Sequence, residues 1–261
     1  MTFDDLFPVV VACDDEATIE LTLASLREFR ELIVLDCGSR DRTREICRAY
    51  PNVHVVAGES SSGGRARNLA ASLAEGDWIF ALDPGEFASD ALLASLRTLE
   101  LGDPDLVYTV CRHTLLMGRE MRWGGWGSEW LARVYNRHRY QFDTALIDER
   151  LVLAADTRLK PLRGRLWREA APTLDVLVRD IGVRASLRQR VAARSSAGPA
   201  MIAMRSAWAF FVSYVLKLGL LEGWRGLVIA AATASEIFFR LMQRYASQFA
   251  AASRSAADPR R

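Results

Sequence analysis

A chain of 261 residues, half of them hydrophobic and a quarter charged, suits one sizeable domain with an appendage and needs no disulfide staples. Four scattered cysteines (Cys13, Cys37, Cys47, Cys111) without a CxxC pair, and three isolated histidines (His54, His113, His138), argue against a disulfide framework and a zinc site. The net charge of +2 conceals an asymmetry: residues 1–100 carry 18 acidic and 9 basic side chains, whereas residues 158–205 carry 11 basic and 3 acidic.

Asp4 and Asp5 stand where a signal peptide would be basic, so none is expected. Phe7 to Val11 is a continuous apolar run, the pattern of a strand buried on both faces. Asp14 or Asp15 is placed to cap a helix that buries Ile19, Leu23 and Leu26. Leu32 to Leu35 predicts a second strand ending at Asp36, and Asp41 caps a helix with Thr43, Ile46 and Ala49. Val53 to Ala57 predicts a third strand. Gly63 and Gly64 lead into a helix with Asn68, Leu69 and Leu73, and Trp78 to Leu82 predicts a fourth strand ending at Asp83. This alternation predicts an α/β fold with a mostly parallel sheet flanked by helices. Ligands of such sheets bind beyond the carboxyl ends of the strands, where Cys13 to Asp15, Asp36 to Ser39 and Asp83 to Glu86 all fall.

Past residue 100 the rhythm breaks. Strand character returns at Leu106 to Cys111 and at Arg133 to Tyr135, on either side of the tryptophan- and glycine-rich stretch Trp123 to Trp130. Ser195 to Pro199 reads as a hinge. Beyond it, residues 206–216 and 226–235 are uncharged apolar runs interrupted by Lys217, Glu222, Arg225, Glu236 and Arg240. A spanning helix needs roughly 20 consecutive apolar residues, so the tail predicts amphipathic helices lying at a membrane surface. Trp208, Tyr214, Trp224 and Tyr245 are the side chains favoured at headgroup level, and flanking arginines favour anionic lipid. The basic stretch abuts this apolar tail and lacks interleaved aromatics, which argues against nucleic acid.

Three strings carry chemistry. In Asp36-Cys37-Gly38-Ser39-Arg40-Asp41-Arg42-Thr43, a carboxylate at a strand end accepts hydrogen bonds from a nucleobase or ribose, and Gly38 permits a tight turn. Gly64-Arg65-Ala66-Arg67-Asn68 places cations at a helix start, where the macrodipole also favours anions. Gly76 to Glu86 joins an apolar strand to an acidic tip, suited to a divalent cation that neutralises a diphosphate.

DCGSRDRT, GGRARNLA and GDWIFALDPGE resemble the DxGSxDxT, ARNxA and GDWxxxLDADE motifs of family 2 glycosyltransferases. GGWGSEWLARVY and the tail LKLGLLEGWRGLVIA resemble the bacterial subgroup that contains lipopolysaccharide core β-1,4-glucosyltransferases. The resemblance implies a GT-A fold with residues 1–100 as the nucleotide-sugar half and 101–157 as the acceptor half. It leaves 158–198 as a basic connector, 199–250 as an amphipathic membrane-associating tail and 251–261 as a disordered end. It implies an inverting transfer from a nucleotide sugar, UDP-linked by expectation, to a lipid-linked, lipopolysaccharide or polysaccharide acceptor at the cytoplasmic face of the bacterial inner membrane. Donor-binding residues would be Asp14, Asp15, Asp36, Gly38, Arg67 and Asp83, and acceptor-binding residues Trp123, Trp126, Glu129 and Arg133. A divalent cation (Mg²⁺ or Mn²⁺) would sit on Asp83 and Glu86, with Glu149, then Asp148, as general base. The family's Asp-Ala-Asp reads Asp83-Pro84-Gly85 here, which supports a second reading: a catalytically impaired homologue serving as a membrane-associated partner in a glycan assembly complex.

Overall fold

Buried apolar runs become strands, and the segments between them become helices packed on the sheet. The computed structural model describes residues 3–58, 63–145, 148–191 and 198–256. In chain order the first unit contains β1 (Leu6–Ala12), α1 (Ile19–Ser25), β2 (Leu32–Asp36), α2 (Thr43–Arg48), β3 (Val53–Ala57), α3 (Gly63–Leu73) and β4 (Trp78–Leu82). It continues with β5 (Glu86–Ala88), α4 (Asp90–Arg97), β6 (Leu106–Leu116), β7 (Arg119–Glu120), β8 (Glu129–Asn136) and β9 (Arg158–Glu169). The strands form one sheet in the order β3-β2-β1-β4-β8-β6-β9-β5, with β7 on β6.

The first four strands of that order are parallel, as the alternation of strand and helix requires. β8 then enters antiparallel to β4, and β6 antiparallel to β8. Successive side chains of β4 serve opposite layers. Trp78, Phe80 and Leu82 pack with Leu23, Leu26, Phe29 and Tyr108, whereas Ile79 and Ala81 pack with Phe7, Ile33, Ala66, Ala70 and Tyr135. Burying both faces explains why β2 and β4 have no polar alternation.

The chain divides into two compact units: residues 1–120 with 128–172, and residues 121–127 with 173–261. The second holds α5 (Leu174–Val191), α6 (Pro199–Phe211) and α7 (Trp224–Ala256). Ile202 and Leu241 meet in its core, and Arg188 pairs with Glu236 at 2.7 Å between α5 and α7. Glu222 is buried in the turn before α7 and accepts hydrogen bonds from the backbone N–H groups of Arg122 (2.8 Å) and Trp123 (3.1 Å).

Several expectations need adjusting. Neither Asp14 nor Asp15 caps α1 through its side chain; the Asp15 carboxylate accepts from Cys13 N–H at 2.7 Å instead. The stretch expected as a basic connector contains β9 and α5. Residues 195–197 of the expected hinge lie outside the described residues, as do 257–261, but α7 continues to Ala256 where disorder was expected from 251. The helical stretches Pro199–Leu216 and Trp224–Ser247 are 18 and 24 residues long, long and apolar enough to cross a membrane by length and composition.

Candidate functional site

Two groups of side chains occupy the carboxyl edge of the parallel strands. The first ties the loop after β1 to the loop after β2. Asp14 adopts φ +58°, its N–H donates to Ser39 Oγ at 3.0 Å, and its carboxylate accepts from Arg40 N–H at 2.6 Å. Asp15 N–H donates to Thr43 Oγ1 at 2.8 Å. Asp36 is 1% exposed and accepts from the N–H groups of Gly38 and Ser39, each at 3.2 Å, and from Arg44 Nε at 2.5 Å. Burial works to raise the Asp36 pKa, but these hydrogen bonds outweigh it and hold the carboxyl below the usual carboxylate range. Gly38 sits at φ +91°, the left-handed geometry that lets its N–H fold back onto Asp36.

The second group surrounds Asp83 and is built by α3. The buried face of that helix is Gly64, Ala66, Arg67, Ala70 and Ala71, small residues that bring Arg67 close to the sheet. Arg67 donates through Nη1 to the Leu82 carbonyl at 3.3 Å, through Nη2 to Asp83, and through Nε to Glu149 at 2.5 Å. One helical step on, the Asn68 amide clamps the Phe142 backbone with two hydrogen bonds (2.9 and 2.8 Å), which brings the segment carrying Glu149 over the helix start. Gly63 and Gly64 permit that approach: a Cβ on Gly63 would collide with the Glu149 carboxylate, and one on Gly64 with the Asp143 carbonyl oxygen.

Antiparallel strands complete the cluster. Arg133 on β8 reaches Asp83 at 3.0 Å and Glu86 at 2.7 Å; Arg112 on β6 reaches the same carboxylates at 3.4 and 2.8 Å and also pairs with Glu129. Glu86 is fully buried, and its second oxygen accepts from Asp83 N–H at 2.9 Å. Burial would raise the Asp83 pKa, but Arg67, Arg133, Arg168 and Arg112 hold it well below 3.8. Burial also opposes the charge of Arg67, and Asp83 with Glu149 outweighs it, so the guanidinium stays protonated.

The expected site residues therefore fall into four places. Asp14, Asp15, Asp36 and Gly38 lie at the β1–β2 loops. Arg67, Asp83, Glu86, Glu129, Arg133 and Glu149 form one ion-pair cluster, whereas Asp148 is exposed at φ +56°. Trp123 and Trp126 belong to the second unit. Arg133, expected at the acceptor, is buried against Asp83 and Glu86. β2 and β4 both flank β1, so Asp36 and Asp83 stand about two strand spacings, roughly 10 Å, apart along one edge. Sequence reading missed Arg112, Arg168 and Arg44; the available signal for Arg112 was a lone arginine within the mostly apolar run from Leu106 to Leu116.

Among the described residues, no group of three or more His, Cys, Asp or Glu side chains is placed to hold a metal ion. Asp83 and Glu86 were the expected ligands. Both oxygens of Asp83 face guanidinium groups, and those of Glu86 face two guanidinium groups and a backbone N–H. This saturated donor set does not fit a divalent cation.

The family model "Glycosyl transferase family 2" matches residues 9–151, more than half of the chain. A TPR repeat-containing protein of Synechococcus elongatus is 34% identical over 112 residues, 42% of this chain; the chain spans only 28% of that relative's length. Among solved structures, S. aureus TarS 1-349 in complex with UDP-GlcNAc is 14% identical, with 94% of this chain and 92% of that one covered at a TM-score of 0.45. GalNAc-T7 with UDP, GalNAc and Mn²⁺ is 14% identical over 72% of this chain and 51% of that one, at 0.48. Glucosyl-3-phosphoglycerate synthase from Mycobacterium tuberculosis, with Mn²⁺, UDP and glucosyl-3-phosphoglycerate, is 24% identical over 42% and 43%, at 0.32. On the extent of the family match, which runs from β1 to the end of the Glu149 segment, the chain belongs to glycosyl transferase family 2.

Proposed function

We propose that the chain moves a sugar, with inversion, from a UDP-linked donor to a lipid-linked, lipopolysaccharide or polysaccharide acceptor at a membrane surface. The observation that carries this is that Asp36 and the Arg67–Asp83 pair lie at the same edge of the parallel strands, at the ends of the two strands that flank β1. Asp36, ionised and already held by three donors, accepts from the base or ribose, and Asp14, Asp15 and Gly38 shape the loops beside it. Arg67 and its neighbours face the diphosphate. A carboxylate takes the acceptor hydroxyl proton, the oxygen attacks the anomeric carbon, and the nucleoside diphosphate leaves with the bonding pair.

The motif match nominates Glu149 for that base, with Asp148 beside it. A second assignment, Glu129, is favoured by exposure: each carboxylate is bound to an arginine, Glu129 to Arg112 and Glu149 to Arg67, but the Glu129 side chain is 52% exposed and that of Glu149 13%. Glu149→Gln and Glu129→Gln separate them. The base variant should lose about 10²–10⁴ in kcat with little change in KM.

Placement at the cytoplasmic face of the inner membrane, and membership of the lipopolysaccharide core subgroup, belong to the same proposal. The exposed apolar surface of the second unit, where Met204, Trp208, Leu216, Leu221 and Trp224 are each more than half exposed, supports the membrane contact alone, and the subgroup rests on the resemblance of GGWGSEWLARVY and LKLGLLEGWRGLVIA. That unit also holds a half-open pocket of about 480 Å³ lined by Trp126, Trp208 and Lys217 and by the ion pairs Arg184–Asp180 and Arg188–Glu236. UDP release from a panel of UDP-hexoses and UDP-N-acetylhexosamines, with membrane lipid extract as acceptor, tests the function. Turnover with one donor is the expected result. UDP binding without turnover favours the impaired partner, and neither binding nor turnover contradicts the proposal.

A further inference from the structure

We infer that guanidinium groups, in place of a divalent cation, grip the donor diphosphate beside Asp83. The inference rests on the nucleotide-sugar reading and concerns how that donor is held. Mg²⁺ and Mn²⁺ bind through hard oxygen ligands, usually one or two carboxylates plus the phosphates. Here a second aspartate in the turn after Asp83 would be strained. Gly85 occupies φ +83°, and a Cβ there would lie 3.0 Å from the Glu169 carbonyl oxygen and 3.1 Å from Thr18 Cβ. The remaining pair, Asp83 and Glu86, is spent on arginines.

Charge supplies the second half of the argument. Arg67, Arg112 and Arg133 contact the two carboxylates directly, and Arg168 stands opposite Glu86 across the β5–β9 pairing. Counting Glu129 and Glu149, four guanidinium groups face four carboxylates, so the cluster is balanced as it stands and gains two positive charges when those two partners move aside. Arg112 and Arg67 have second partners, the half-exposed Glu129 and the segment-borne Glu149. A diphosphate offers these guanidinium groups oxygen pairs of matching geometry, so its arrival exchanges one anionic partner for another. Half-buried Asp83 and fully buried Glu86 hold the forks in place before the donor arrives.

Calorimetric titration of UDP into the full chain tests this, once in EDTA and once with Mn²⁺. The expected dissociation constants agree within about threefold, a difference of less than 1 kcal/mol. Arg112→Met is expected to weaken UDP binding about tenfold or more in EDTA, while Arg112→Lys, which keeps the charge but not the fork, loses less. Thermal unfolding of both variants confirms that they are folded. Binding that appears only with Mn²⁺ overturns the inference and leaves the donor reading standing. Absence of UDP binding under both conditions overturns the donor reading and the inference with it.

Discussion

Replacing Arg67 by alanine is expected to lower folding stability by about 3–5 kcal/mol, the cost of leaving buried charges without their partner. The loss is large because Arg67 is 7% exposed and serves two carboxylates, Asp83 and Glu149, as well as the Leu82 carbonyl. The chain should still fold, since a domain of ordinary stability has about 5–15 kcal/mol to lose. UDP affinity should fall at least about a hundredfold, equivalent to roughly 2.7 kcal/mol. Arg67→Lys separates the two roles: it restores a charge for Asp83 but cannot also reach Glu149 through a planar fork. Urea unfolding and UDP titration of both variants check this. An alanine variant with unchanged stability and UDP affinity would show that the ion pairs are incidental.

Changing Leu218, Leu220 and Leu221 together to serine is expected to weaken binding to vesicles of mixed anionic and zwitterionic phospholipid about a hundredfold. These side chains, in the turn between α6 and α7, are 40%, 45% and 56% exposed. Fully burying a leucine is worth about 1.5–3 kcal/mol, so three half-exposed ones contribute roughly 3 kcal/mol of partitioning. Glu222, the one carboxylate of this turn, is turned inward onto the Arg122 and Trp123 N–H groups, which leaves the leucines exposed beside a single cation, Lys217. UDP binding by the triple variant should be unchanged, because the substituted residues belong to the second unit. Co-sedimentation at low and physiological salt reads the effect; a variant that still pellets with vesicles like the parent would remove the turn from the membrane contact.

Much of residues 1–100 was legible because β1, β2 and β4 are almost wholly buried and β3, at the sheet edge, is short and mostly apolar. β3 and β4 match the apolar runs Val53 to Ala57 and Trp78 to Leu82 residue for residue. β9 escaped notice because five of its twelve residues are basic and Pro161 interrupts it, a pattern tolerated where one face meets solvent. Asp36, Arg67 and Asp83 could be named from loop position and motif alone. Their companions could not: Glu86 meets Arg112 and Arg133 only because β8 and β6 enter the sheet beyond β4, joining residues 26 and 47 positions apart. Local sequence carries no trace of that pairing. The glycine pair before α3 was read as a helix lead-in, whereas its visible consequence is room for Asp143 and Glu149.

Hydrogen exchange of the backbone amides, with and without UDP, tests the shared nucleotide pocket most directly. The account predicts simultaneous protection of the segments Cys13–Asp15, Gly38–Arg40 and Asp83–Glu86, saturating at one UDP concentration. Protection confined to one of these segments, or found only in residues 173–256, would contradict it.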